Sequence, residues 1–85
     1  MSKILIALEV PAINEKYDVF VPDFMTIGEL TILLAKAVSD MTQNQYVSSG
    51  KEVLLYRSIE GYVILNKKYT VFDYGFKNGD VVYIF

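Results

Sequence analysis

The sequence predicts a two-layer α+β domain in which a mixed sheet of four to five strands packs on one α-helix. Three observations carry this. Most of the chain alternates apolar and polar residues with period two, the strand pattern. One segment, Thr26–Met41, shifts to helical period and opens on a capping signal. Turn residues separate the segments at short intervals. The 85 residues, taken as one domain spanning 1–85, are enough for a single core without staples.

The first strand is predicted at Lys3–Val10 (KILIALEV). It sets Ile4, Ile6, Leu8 and Val10 on one face and Lys3, Leu5, Ala7 and Glu9 on the other. Pro11 ends it, because proline has no amide to donate to a ladder. After a turn at Ala12–Glu15, Lys16–Val21 alternates again. Tyr17, Val19 and Val21 point one way, Asp18 and Phe20 the other. Two adjacent strands with a short link make an N-terminal hairpin.

In Thr26–Met41, Thr26 and Glu29 have capping-box spacing, and each can satisfy the other's free amide. Steps of 100° put Ile27, Leu30, Leu34, Ala37, Val38 and Met41 on one stripe, with Ile32 on the polar side. The polar segment Thr42–Lys51 is a loop. Strands follow at Glu52–Arg57 and Tyr62–Leu65, joined by a turn at Ser58–Gly61. Thr70–Asp73 repeats the Thr-x-x-acid cap and predicts one helical turn. Asn78-Gly79 then launches a last strand, Asp80–Phe85. The helix stripe must bury on one sheet face, and the last strand can slot into the sheet centre. That is the β-grasp arrangement.

Composition removes whole classes of function. With no cysteine and no histidine, the chain has no disulfide, no thiol nucleophile, no Cys/His zinc site and no imidazole base. Net charge is −2 and the eight basic residues are scattered, so no field concentrates to displace counterions from nucleic acid. The tyrosines therefore do not read as base-stacking platforms, which need a basic groove as well. Gly75 and Gly79 lack the Gly-Lys-Ser/Thr of a phosphate loop, and Asp73 and Asp80 lack calcium-loop spacing; turn and cap roles account for them. No apolar run approaches the ~20 residues of a membrane span. The expectation is a non-enzymatic, cytoplasmic domain without a cofactor and without direct membrane insertion.

Hydrophobic residues make up 53% of the chain and charged residues 21%, which leaves apolar surface to place. If Val82 and Ile84 face the helix, Val81, Tyr83 and Phe85 face out, as do Leu5 and Ala7 by the parity of the first strand. Val53 and Leu55 inward would leave Leu54 and Tyr56 outward, although the alternation also admits the opposite register. In a β-grasp sheet the first, last and third strands are neighbours. Leu5, Ala7, Leu54, Tyr56, Val81, Tyr83 and Phe85 are thus expected to form one patch on a face that is normally polar. Contiguous apolar surface marks a binding site, for a protein partner or a second copy of the chain.

The layout resembles ubiquitin over nearly the whole chain. The resemblance rests on Tyr17–Leu30 (YDVFVPDFMTIGEL), with its alternating strand, proline loop and Thr-Ile before the helix, and on Thr70–Phe76 (TVFDYGF) ahead of the last strand. Among ubiquitin-like proteins the chain looks most like the small bacterial EsaB/YukD family of type VII (WXG-type) secretion loci. Tyr17-Asp18-Val19-Phe20-Val21-Pro22 matches that family's second strand. Asp73 to Asp80 (DYGFKNGD) matches its D-x-G-I-x-x-G-D motif, with Phe76 for the usual isoleucine. The chain departs from the family in a longer third-to-fourth-strand region. The resemblance implies an adaptor or regulatory component that docks through the outer sheet face. The implied partner is a cytoplasmic part of the secretion machine, such as its FtsK/SpoIIIE-type ATPase, placing the chain peripheral to a membrane complex. A charge at Tyr83 or Leu54 is then expected to abolish docking and spare the fold. Two other readings stand beside this one: an accessory ubiquitin-like subunit of a multicomponent oxygenase, and a sulfur carrier or conjugated modifier. The ending Tyr83-Ile84-Phe85, without Gly-Gly, argues against the last.

Overall fold

A computed structural model describes residues 2–85. The elements, in chain order, are β1 (Lys3–Val10), a 3₁₀ turn (Pro11–Ile13), β2 (Glu15–Pro22), α1 (Ile27–Met41), β3 (Leu54–Ser58), β4 (Gly61–Ile64), the single-turn α2 (Val71–Tyr74) and β5 (Val81–Ile84). The strands form one sheet in the order β2-β1-β5-β3-β4. β1 and β5 run parallel and the other pairs antiparallel, so the last strand of the chain occupies the centre, as the β-grasp reading requires.

The hairpin follows the alternation of its sequence. Pro11, whose fixed φ suits a first helical position, opens the 3₁₀ turn, and Asn14 closes it in the left-handed region at φ 54°. Ile6, Leu8, Val10 and Val21 are buried, with Ile4, Tyr17 and Val19 packed beside them.

Both capping boxes form. The Thr26 hydroxyl accepts from the Glu29 amide at 3.1 Å and the Glu29 carboxylate accepts from the Thr26 amide at 3.1 Å. The Thr26 amide, and then the Thr26 hydroxyl, which donates to the same carboxylate at 2.9 Å, hold the Glu29 carboxyl below its ordinary range. Thr70 and Asp73 repeat the exchange at the start of α2. The two caps also touch: Thr26 and Thr70 form an isolated bridge, and the Ile27 amide donates to the Tyr69 carbonyl at 2.8 Å. The connection after β4 is thereby tied to the helix N-terminus. Thr26→Ala should lower stability by about 1 kcal/mol, a fall of about 4–8 °C in melting temperature for a domain this small, checked by thermal denaturation.

The buried face of α1 is rotated from the predicted stripe. It comprises Ile27, Leu30, Thr31, Leu34, Ala35 and Val38. Thr31 belongs in this core because its hydroxyl donates to the Ile27 carbonyl at 2.7 Å, leaving only its methyl to pack. Ala37 is half-buried and Met41 exposed. They flank an apolar cleft of about 250 Å³ between α1 and β2, closed below by Leu8, Tyr17 and Val19. Ile32 is exposed, as predicted.

The Thr42–Lys51 loop is organised by Glu52, a residue read from sequence as the start of a strand. Its side chain is buried and turned back under the loop. The carboxylate accepts from the Ser49 amide at 2.6 Å, the Gly50 amide at 3.1 Å, and the hydroxyls of Ser48 and Tyr46, both at 3.2 Å. The strand therefore starts after Glu52, with β3 spanning Leu54–Ser58.

Candidate functional site

One face of the sheet carries α1. The other is open, and the strand registers determine what it displays. Ala7 pairs with Val81 and Glu9 with Tyr83 across β1 and β5; Leu55 pairs with Tyr83 across β3 and β5. Side chains alternate faces along each strand. Since Leu8, Val82 and Ile84 are buried under the helix, Leu5, Ala7, Val81 and Tyr83 project from the open face. Phe85 follows in parity. Its amide and carbonyl both bond to Val53, at 3.0 and 2.9 Å, which extends the ladder by one pair. Five of the seven residues expected in the patch are thus together on this face.

Leu54 and Tyr56 are not. Leu54 pairs with Ile84 and is 1% exposed; Tyr56 pairs with Val82 and packs against the core, its ring 5.4 Å from that of Phe76. Of the two registers the sequence admits, the structure adopts the second. The reason is geometric: pairing with β5 fixes the parity of β3, and Ile84 faces inward. Leu55, in register with Tyr83, takes the place expected for Leu54, and Val53 stands beside Phe85. A charge at Leu54 would therefore act on the core and not on a docking surface.

The face is also wider than three strands. On β4, Ile64 pairs with Leu55 and Tyr62 with Arg57, placing both on the open side; on β2, Phe20 pairs with Leu5. Tyr62, Ile64, Phe85 and Phe20 are 57%, 64%, 57% and 67% exposed. Sequence parity placed Phe20 outward but did not extend the patch to it. For β4 the missing signal was the two-residue Ile59-Glu60 turn, which fixes the Ser58–Gly61 pair and with it the register.

The aromatic rings make a connected group. Tyr62 meets Tyr83 edge-on at 5.2 Å between centroids, and Tyr83 stacks with Phe85 at 6.5 Å. Edge-to-face and offset contacts of this kind hold aromatic side chains in place without burying them. Charged residues share this face: Asp18 pairs with Ala7, Glu9 with Tyr83 and Arg57 with Tyr62. Glu9 is 3.9 Å from the Lys16 ammonium and pairs with Tyr83 across the strands; its carboxylate raises the pKa of the Tyr83 hydroxyl, and Arg57 works in the opposite sense. Tyr83 is therefore an amphipathic group at the middle of the sheet, with an apolar body and a hydroxyl between a carboxylate and a guanidinium. Chemically the arrangement offers contact area and a few oriented polar groups. Among the described residues no cluster of carboxylates could hold a metal ion, and no helix is long and apolar enough to cross a membrane.

No family model matches the chain, and no curated protein matches it. Solved structures do, over its full length. The ubiquitin-like domain of the type VII secretion system protein EccD1 of Mycobacterium tuberculosis superposes with a TM-score of 0.75 at 12% identity, covering 99% of this chain and 98% of that one. The EccD5 ubiquitin-like domain of Mycobacterium xenopi gives 0.74 at 13% identity over 100% and 94%. The ubiquitin-like domain of Plasmodium falciparum Dsk2 gives 0.72 at 16% over 98% and 96%. At these identities the likeness concerns the fold: the chain is a ubiquitin-like β-grasp domain.

Proposed function

We propose that this chain is a non-enzymatic docking module of a type VII-like secretion system, binding a protein partner through the open face of its sheet. The observation that carries the proposal is the continuous apolar and aromatic surface running from Phe20 across Leu5, Ala7, Val81, Tyr83 and Leu55 to Tyr62 and Ile64, on a face that would be polar if it met only water. Its composition, with tyrosines and phenylalanines exposed among a few charged groups (Glu9, Lys16, Asp18 and Arg57), suits a protein interface. The secretion setting is supported by the sequence motifs at Tyr17–Pro22 and Asp73–Asp80 and by the fold shared with EccD1 and EccD5. The partner we favour is a cytoplasmic component of the machine, its FtsK/SpoIIIE-type ATPase first.

Binding of that ATPase's cytoplasmic region to wild type and to Tyr83→Arg, measured by calorimetry, tests this. Tyr83 is central and its ring is in contact on two sides, so its replacement should weaken binding at least about thirtyfold while circular dichroism stays unchanged. A folded Tyr83→Arg protein with wild-type affinity would remove the open face from the mechanism.

A further inference from the structure

The two edges of the sheet are built differently. β2 carries Glu15, Lys16, Asp18 and Pro22, the charged and proline residues that discourage strand addition. β4 is Gly-Tyr-Val-Ile, with no charge and no proline, and Tyr62, Val63 and Ile64 are all exposed. Its free hydrogen-bonding groups can be assigned. The Leu65 amide donates to the Leu54 carbonyl at 2.8 Å, and bonded pairs alternate along an antiparallel ladder. Gly61, Val63 and Leu65 therefore direct their amides and carbonyls to β3, while those of Tyr62 and Ile64 point away from the sheet.

We infer that β4 is a pairing edge for a second copy of this chain, joined antiparallel about a two-fold axis at Val63. The register closes on itself. Tyr62 and Ile64 of one copy exchange backbone bonds with Ile64 and Tyr62 of the other, so every outward amide and carbonyl of the edge gains a partner. Charge supports the same register. Glu60 precedes β4 and Lys67 and Lys68 follow it, so antiparallel pairing about Val63 brings the acidic entry of one strand toward the basic exit of the other, on both sides of the axis. Joining β4 to β2 instead would set an apolar edge against a charged one and, being head-to-tail, would propagate without closing. The axis is perpendicular to the sheet, so the open faces of both copies lie on the same side as one surface. The strand is short and the contact small, which makes a weak, reversible dimer.

Sedimentation equilibrium over about 10 μM to about 1 mM reads it out. Wild type should rise from 9.7 kDa toward twice that mass. Ile64→Pro removes an amide that has no partner within the sheet, so the β3–β4 ladder survives, and the protein should stay monomeric throughout. Independently of any effect of proline on the hairpin, Glu60→Lys should weaken association at least about tenfold, and adding Lys67→Glu and Lys68→Glu to it should restore association. A wild-type mass that stays monomeric over the whole range overturns the inference. So does association that survives both Ile64→Pro and Glu60→Lys, or association lost in Tyr83→Arg but kept in Ile64→Pro, which would put the contact between copies on the open face.

Discussion

Leu54→Arg is expected to unfold the domain. Leu54 is 1% exposed and packs in one cluster with Ile84, Leu65, Val82 and the underside of α1. A guanidinium there has no carboxylate within the core; the nearest buried acid, Glu52, already spends its oxygens on the Thr42–Lys51 loop. An unpaired buried charge carries a penalty of several kcal/mol, and the lost leucine contacts add about 2–5 kcal/mol. A domain of this size has on the order of 5–10 kcal/mol to lose. The substitution should therefore give a chain without a cooperative urea transition. Leu55→Arg, one residue on and half-exposed on the open face beside Tyr83, should melt within a few degrees of wild type. Near-native stability of Leu54→Arg, or unfolding of Leu55→Arg with Leu54→Arg stable, would reverse the parity of β3 and the proposed docking face built on it.

That pair of neighbours shows where the sequence stops being legible. β1 and β2 were readable because their faces differ in kind: Ile6, Leu8 and Val10 alternate with Ala7 and Glu9, and Tyr17, Val19 and Val21 with Asp18. A register slip there would put charge in the core. β3 runs Val53-Leu54-Leu55-Tyr56, apolar on both sides because one side meets the helix and the other belongs to the open face. Alternation then contains no information about which is which, and the decision passes to the partner strand. The buried face of the helix departs from its apolar stripe for a similar reason. Thr31 scores as polar, yet its hydroxyl is consumed by the Ile27 carbonyl one turn back, so the burial face shifts toward Thr31 and Ala35 and away from Met41.

The same principle connects the two edges and the face. The sheet is closed by charge on β2 and by the helix on one side, and the apolar residues left over gather on β5, β3 and β4. An excess of hydrophobic residues that looked diffuse in composition is thus concentrated by topology. The central position of β5 does this, because it brings Tyr83 and Phe85 beside Leu55 and Val53, residues about 30 positions earlier in the chain.

Glu52→Ala should cost about 3 kcal/mol, because four donors around the loop lose a buried charged acceptor, and the pH dependence of the loss identifies the cause. Charged residues are seldom buried, so sequence offered no reason to place Glu52 inside. Burial pushes its carboxyl up, but the Ser49 and Gly50 amides and the Ser48 and Tyr46 hydroxyls favour the ionised form more strongly, and its pKa lies below the ordinary glutamate range. The opposite shift appears on its neighbour: burial, then the Glu52 charge, push the Tyr46 hydroxyl up to about 12. A carboxyl with a depressed folded pKa contributes stability that is fully present above its unfolded value, about 4.3, and disappears as pH falls through the lower folded value. Urea unfolding of wild type and Glu52→Gln should therefore show a gap that is largest near neutral pH and shrinks below about pH 4, since the amide mimics the protonated acid. Tyr46→Phe, which deletes one donor and keeps the ring, should lose only about 1 kcal/mol, and its effect should be largely absent when Glu52 is already alanine. A gap between wild type and Glu52→Gln that is the same at pH 3 and pH 7 would mean that the loop is held by packing of Tyr46 and not by the carboxylate.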